Sequence, residues 1–264
     1  MGPLATLKIE RGGRGVVRVT MSRPEVFNAF DETMIAELDA VFALLADEVD
    51  VRVIVLGGAG KHFSAGADLQ WMQRASNATP EWNLEDARRF AGMLARIAEC
   101  PKPTVARIHG AALGGGVGLA CACDLAIGSD SASFSVSEAR FGILPAVIGP
   151  YLVNAVGRRQ ALRLALTTVR IGAAEAVGLG LLQQAVPDQE LDGAVEAATA
   201  ALLSGGPNAQ REIKKLYAHL EVGPVSAEVR ELTAQTISRV RGTEEAREGF
   251  AAFLGKRHAR WIPE

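Results

Sequence analysis

Apolar and polar residues alternate at the start of the chain. "LKIE" (7–10) and "VVRVT" (16–20) therefore predict two strands, with the glycines of 12–15 making the turn between them. After the loop "SRPEVFNAF" the period changes. Asp31 predicts a cap for a helix to about residue 47, whose Met34, Ile35, Leu38, Val41, Phe42 and Leu45 recur at helical spacing. "VRVIVLGG" (51–58), "PTVARIHG" (103–110) and "DLAIGS" (124–129) are apolar runs of the kind found in sheets covered on both faces. Helical patterns at 84–99, 115–122 and 158–167 lie between or after them. Strands alternating with helices predict an α/β fold.

Beyond about residue 188 only helical periodicity remains, over 190–203, 208–221, 226–241 and 243–254. Breaks fall at Gly205-Gly206-Pro207 and Gly223-Pro224. The expected organisation is an α/β core over 1–190 and a helical C-terminal region over 191–264, a natural packing or oligomerisation element. Residues 81–90 read as a loosely patterned polar helix, a candidate mobile cover.

Composition narrows the function. Of 264 residues 48% are apolar but only 5% aromatic, so the core is built mainly from Ala, Val, Leu and Ile. The formal net charge is −2 and no basic run follows a phosphate backbone, which argues against nucleic acid as a partner. No stretch of eighteen apolar residues predicts a membrane span, and "MGPLATLKIERGG" lacks the apolar centre of a secretory signal. Cys100, Cys121 and Cys123 are odd in number and sit among apolar neighbours, which suits buried thiols in a reducing compartment. The expected location is cytoplasmic.

Several familiar motifs fail by one residue. A dinucleotide fingerprint starting at Gly114 needs glycine where Leu119 stands. A phosphate loop ending at Lys61 needs Ser or Thr where His62 stands and glycine where Val55 stands. "HFSAG" has His62 in place of the first glycine of a nucleophile elbow. The four histidines are scattered, and no acidic or histidine pair has metal-ligand spacing, so no metal is expected. His109, at the end of a buried strand, reads as structural.

Two glycine-containing loops remain, each directly after a buried strand: "FSAGADL" (63–69) and "HGAALGGGVG" (109–118). Loops at the carboxyl ends of parallel strands are where α/β proteins bind ligands. Glycine there admits close approach to the backbone, and the second loop opens a helix whose first N–H groups have no internal acceptor. Two such loops can aim two donors at one oxygen, an oxyanion hole, in which each donor supplies roughly 3–4 kcal/mol.

With these loops the chain resembles the crotonase, or enoyl-CoA hydratase/isomerase, superfamily. The resemblance covers nearly the whole length, through "RPEVFNAFDETMIAELDAVF", "FSAGADLQWM", "PKPTVARIHGAALGGGVGLACACDLAIGSDSASFSVSEARFGILPA", "AAEAVGLGLLQQAVP" and "REGFAAFLGKR". It implies a spiral of ββα units with a helical C-terminal trimerisation region, assembled as a homotrimer or a dimer of trimers. It also implies an acyl-CoA thioester as substrate and partner, with no cofactor. The oxyanion donors fall on the N–H groups of Ala67 and Gly115. The CoA contacts fall on Val26, Phe27 and Ala29, on Ala65, Asp68 and Leu69 beside the first donor, and on Phe253 and Lys256, which would reach a neighbouring subunit's CoA.

Hydration needs one group to take a proton from water and one to deliver a proton to carbon. Many hydratases of the superfamily use two glutamates. The resemblance places the first at Gly118, where the acid is absent, and the second at Glu138 in "FSVSEARFG". The implied activity is syn addition of water to an enoyl-CoA, with Glu138 as general acid/base. A Δ3-Δ2 enoyl-CoA isomerase, with Glu138 shuttling the proton, and a non-catalytic acyl-CoA binder stay open. "SEARFGILPAVIGPYLV" resembles bacterial hydratases of 3-methylglutaconyl-CoA and isohexenylglutaconyl-CoA, with branched or carboxylated acyl groups. On that reading the space at Gly118 takes a water or a substrate branch, and Arg140 is a candidate carboxylate ligand. Asp124 reads as a structural acid, and 71–90, with Trp71, Met72 and Trp82, as the acyl end.

Overall fold

The computed structural model describes residues 2–262. The chain begins with β1 (Leu7–Arg11), β2 (Val16–Met21), α1 (Glu32–Asp47) and β3 (Val53–Gly58). Two helices follow, α2 (Leu69–Ser76) and α3 (Pro80–Ala98), then β4 (Thr104–Ile108), β5 (Ala111–Leu113) and α4 (Gly115–Ala122). Next come β6 (Leu125–Ser129), β7 (Ser133–Ser135), α5 (Gly149–Thr167), β8 (Ile171–Gly172), α6 (Ala173–Leu179) and β9 (Gln184–Val186). The chain ends in α7 (Leu191–Ser204), α8 (Pro207–Tyr217), α9 (Ala227–Arg241) and α10 (Glu244–Leu254).

Six strands form one sheet in the order β1-β2-β3-β4-β6-β9. The β1–β2 hairpin is antiparallel, with Leu7 opposite Met21, and every other pairing in this sheet is parallel. A second sheet, β5-β7-β8, is built from strands of two or three residues, too short to show a period in sequence.

The apolar run of β3 is explained by its two covers. Val53 and Val55 pack with Leu191, Val195 and Leu203 of α7 on one face. Ile54 and Leu56 alternate into the main core with residues of α1 and α3. Asp31 caps α1, its carboxylate accepting from the N–H groups of Thr33 and Met34.

Three expectations change. Because α7 seals the second face of the sheet, it belongs to the core, and the helical extension beyond the core starts at α8. Residues 81–90 are not a loose cover. They lie within α3, which packs against α1 and buries Asp86, Met93, Leu94 and Ile97. The helix expected at 158–167 starts earlier, at Gly149, and passes through a non-helical Gly157 at φ 73°. The three cysteines are free thiols, and burial pushes Cys121 up to about 12. No helix among the described residues is long and apolar enough to cross a membrane.

Candidate active site

The two glycine loops are stitched together by backbone hydrogen bonds. Phe63 and Ser64 donate to the carbonyls of His109 and Ala111, and Leu113 donates back to Ser64 at 2.9 Å. Gly66 sits at φ +87°, where a Cβ would lie 2.6 Å from the Leu113 carbonyl oxygen and 3.5 Å from the Gly115 nitrogen. Only glycine brings the loops this close. Gly114 combines φ 50° with ψ −119° as the residue preceding α4, and its own N–H donates to Ser135. The next N–H, that of Gly115, starts the helix. Among the described residues neither the Ala67 N–H nor the Gly115 N–H has a protein acceptor. Two outward donors thus stand on adjacent loops, as an oxyanion hole requires.

A network missed in sequence holds the first loop. Asn28 is fully buried at φ 54°, and its amide donates to the carbonyls of Ala59 and His62, each at 2.8 Å. Its carbonyl oxygen accepts from the Ser64 hydroxyl at 2.8 Å, and the same hydroxyl accepts from the Gly66 N–H. A buried asparagine with positive φ is the signal that sequence carries only ambiguously. Asp68 belongs to the same scaffold. Its carboxylate caps α2 through Gln70 and Trp71 and pairs with Arg23 at 3.0 Å. The Asp68 side chain is 7% exposed, its charge is already paired, and it does not line the cavity below.

Glu138 opens the short turn after β7, with Ser137 before it. A Cβ on Gly114 would lie 3.1 Å from Glu138 Oε1, so the carboxyl group rests against the glycine that precedes the Gly115 donor. Oε2 is buried with no hydrogen-bond partner. Burial pushes the Glu138 carboxyl above its ordinary value, outweighing hydrogen bonds from its own N–H and that of Ser137. Ala67, Gly115 and Glu138 line one cavity of about 680 Å³. It is a carboxyl held ready to exchange a proton beside two free donors, an arrangement suited to moving protons next to a developing oxyanion.

The whole chain agrees with known proteins of this chemistry. The family model described as "Enoyl-CoA hydratase/isomerase" matches residues 11–263. The chain belongs to the enoyl-CoA hydratase/isomerase family. A "Probable enoyl-CoA hydratase" of Rhodobacter capsulatus is 36% identical over 246 residues, 92% of this chain and 93% of that protein. The "Carnitinyl-CoA dehydratase" of Escherichia coli is 32% identical over 269 residues, 97% of this chain and 98% of that protein. The crystal structure of an enoyl-CoA hydratase from Shewanella pealeana superposes with a TM-score of 0.94 at 38% identity, covering 98% of this chain and 96% of that one. The α/β fold is that of these crotonase-type neighbours.

Within this enoyl-CoA hydratase/isomerase framework, position 118 is not a vacancy. A Cβ on Gly118 would lie 2.8 Å from Ile148 Cβ, with Leu94 Cδ1 at 3.7 Å. Ile148, 2% exposed, fills the space that the sequence reading reserved for a water or a substrate branch. Glu138 is the only ionisable side chain among the described residues lining the cavity.

The rest of the cavity is apolar. Phe30, Phe90 and Trp71 form an aromatic cluster with centroids 5.1–6.3 Å apart. A Cβ on Gly115 would lie 2.8 Å from Phe30 Cε1, so this ring closes on the donor. Trp71 is fixed from behind, its indole N–H donating to the buried Asp86 at 3.1 Å. The 71–90 segment thus does supply cavity wall, through Trp71, Met72, Asn83 and Phe90. Arg140 does not serve this cavity. Its guanidinium donates to the hydroxyl and carbonyl of Thr168, which removes it as a carboxylate ligand.

The remaining positions fall in two groups. Ala65 and Leu69 line the cavity, Leu69 being largely exposed. Val26, Phe27 and Ala29 stand outside it: Ala29 is buried with its carbonyl held by Arg23, whereas Phe27 shows an exposed ring beside His62. Phe253 is 82% exposed on α10, and neither it nor Lys256 lines the cavity of its own chain. Asp124 is structural as expected, accepting from the Thr104 N–H and hydroxyl and pairing with Lys214.

Proposed function

We propose that the protein is an enoyl-CoA hydratase that adds water syn across the 2,3 double bond of a 2-enoyl-CoA. The thioester oxygen is taken by the N–H groups of Ala67 and Gly115 as enolate charge develops. Glu138 holds the attacking water and exchanges the protons, and the proton that leaves the water returns to the α-carbon. The observation that carries this reading is the unpartnered, buried Glu138 oxygen in the same cavity as the two free donors. Names of relatives such as the Rhodobacter capsulatus protein support it.

The acyl arm we assign is uncharged. No described cavity residue is basic, and Arg140 is committed to Thr168, so a carboxylated arm finds no partner in this cavity. A compact branch is compatible with the apolar wall. Assembly as a homotrimer or a dimer of trimers in the cytoplasm completes the proposal, with Phe253 and Lys256 covering a neighbouring copy's CoA.

One observation favours a second reading. With Ile148 against Gly118, a single carboxyl serves the cavity, as proton transfer between two carbons in a Δ3-Δ2 enoyl-CoA isomerase requires. Product analysis in ¹⁸O-water separates the two. Hydration of crotonyl-CoA places ¹⁸O in a 3-hydroxyacyl product. Conversion of 3-enoyl-CoA alone, with no ¹⁸O incorporated, replaces hydratase with isomerase.

A further inference from the structure

Adding water asks for more than one acid. The water that attacks carbon loses one hydrogen and keeps the other, and both must be held while its lone pair is aimed. Glu138 can take the first. Position 118 offers nothing for the second, because it has no side chain and Ile148 packs against it.

The other polar groups on the cavity wall are nearly all committed. The Trp71 indole N–H is spent on Asp86. The Ser76 hydroxyl donates to the Gln73 carbonyl at 2.9 Å, and the Asn83 amide donates to the Ala75 carbonyl at 3.0 Å. Ser137 differs from all three. It lines the cavity one residue before Glu138, and its N–H bonds to the Glu138 carboxyl. Its main chain is fixed, the carbonyl accepting from the Arg140 N–H at 3.0 Å to open the turn. Its side chain is half-buried, makes no capping bond to that turn, and has no hydrogen-bond partner among the described residues. Two residues earlier, Ser135 shows the contrast: its buried hydroxyl donates to the Thr168 carbonyl at 3.1 Å. The Ser137 hydroxyl is thus an uncommitted side-chain oxygen on the same wall as the Glu138 carboxyl.

We propose that Ser137 is the second ligand of the attacking water, its Oγ accepting the hydrogen that the water keeps while Glu138 takes the one it loses. This rests on the hydratase reading above. The water oxygen bonds to C3, and the π pair of the double bond moves onto the thioester oxygen held by Ala67 and Gly115. The proton taken by Glu138 then bonds to C2 as that pair returns. The hydrogen held by Ser137 stays on the new 3-hydroxyl group, and Ser137 neither gains nor loses a proton. A hydroxyl suits this place because it holds water without setting a second charge beside a carboxyl whose ionised form burial already disfavours.

Two reactions measured on Ser137→Ala and Ser137→Thr test it: hydration of crotonyl-CoA, and solvent deuterium exchange at C2 of butyryl-CoA. The exchange needs Glu138 and the two backbone donors but no attacking water. Ser137→Ala is expected to lower kcat for hydration by about tenfold or more with KM little changed, and to keep the exchange within about twofold of wild type. Ser137→Thr, which keeps the hydroxyl, is expected to recover most of the hydration. Equal hydration kcat in Ser137→Ala and a hydrating wild type overturns the water ligand alone. Parallel loss of hydration and exchange also overturns it, since Ser137 then only supports Glu138. A rise in KM with kcat intact overturns it as well, making Ser137 an acyl contact. A wild type that exchanges deuterium without hydrating overturns the hydratase reading and this proposal with it, so the two failures are told apart.

Discussion

The side chain of Ile148 occupies the volume that any side chain at Gly118 would need. A Cβ at 118 would lie 2.8 Å from Ile148 Cβ, and Ile148 is itself 2% exposed. Glycine and isoleucine act here as one packed unit, the missing side chain on α4 being replaced by one from the residue that leads into α5.

Restoring an acid at 118 is therefore expected to fail unless room is made. Gly118→Glu overpacks the site, at about 2 kcal/mol for the steric cost alone, before the buried charge is counted. Thermal melting should show a clear drop for Gly118→Glu and a partial recovery for Gly118→Glu/Ile148→Gly. An unchanged melting temperature in the single variant contradicts this packing.

Glu138 also shapes the pH dependence of stability. Its folded pKa is raised by burial above the ordinary 4.5, so the neutral form is favoured in the folded state. That contribution is present below the ordinary value and is lost as pH rises through the raised one. Glu138→Gln should melt above wild type at pH 8, with the gap closing below about pH 4.5. A gap of the same size at both pH values shows that burial is not the cause.

Gly114 carries two constraints at once. Alanine there is strained at φ 50°, and its Cβ would press on Glu138 Oε1 at 3.1 Å. Gly114→Ala should cost about 1–2 kcal/mol of stability and lower kcat more than it raises KM. Chemical denaturation with steady-state kinetics checks both. A purely structural glycine would leave kcat per folded enzyme unchanged.

Trp71 depends on a buried acceptor. Asp86→Leu strands the indole N–H at a cost of about 1–3 kcal/mol, whereas Asp86→Asn keeps an acceptor and stays near wild type. If Trp71 forms the acyl wall, Asp86→Leu should also raise KM for longer acyl chains. Equal melting of the two variants argues against the hydrogen bond.

Those four positions show what the sequence made legible. The glycine loops could be read because φ values such as +87° at Gly66 and close approaches such as Gly115 to Phe30 admit no other residue. Asp31 could be read as a cap because its acceptors lie two and three residues away. The partner of Gly118 could not, because Ile148 lies thirty residues along the chain with no period linking the two. The scaffold role of Asp68 was hidden for a related reason: Arg23, its ion-pair partner, lies forty-five residues away along the chain. The three short strands of the second sheet carry no period at all, and α7 reads as one more C-terminal helix until its contacts with β3 are seen.

The central claim is that Glu138, beside two backbone donors, drives addition of water to an enoyl thioester. The direct measurement is kcat/KM for loss of the conjugated thioester absorbance of crotonyl-CoA, in wild type and in Glu138→Gln. A fall of roughly 10²–10⁴-fold in the variant, with the fold intact by circular dichroism, is the expected result. Equal rates in the two proteins would contradict the account.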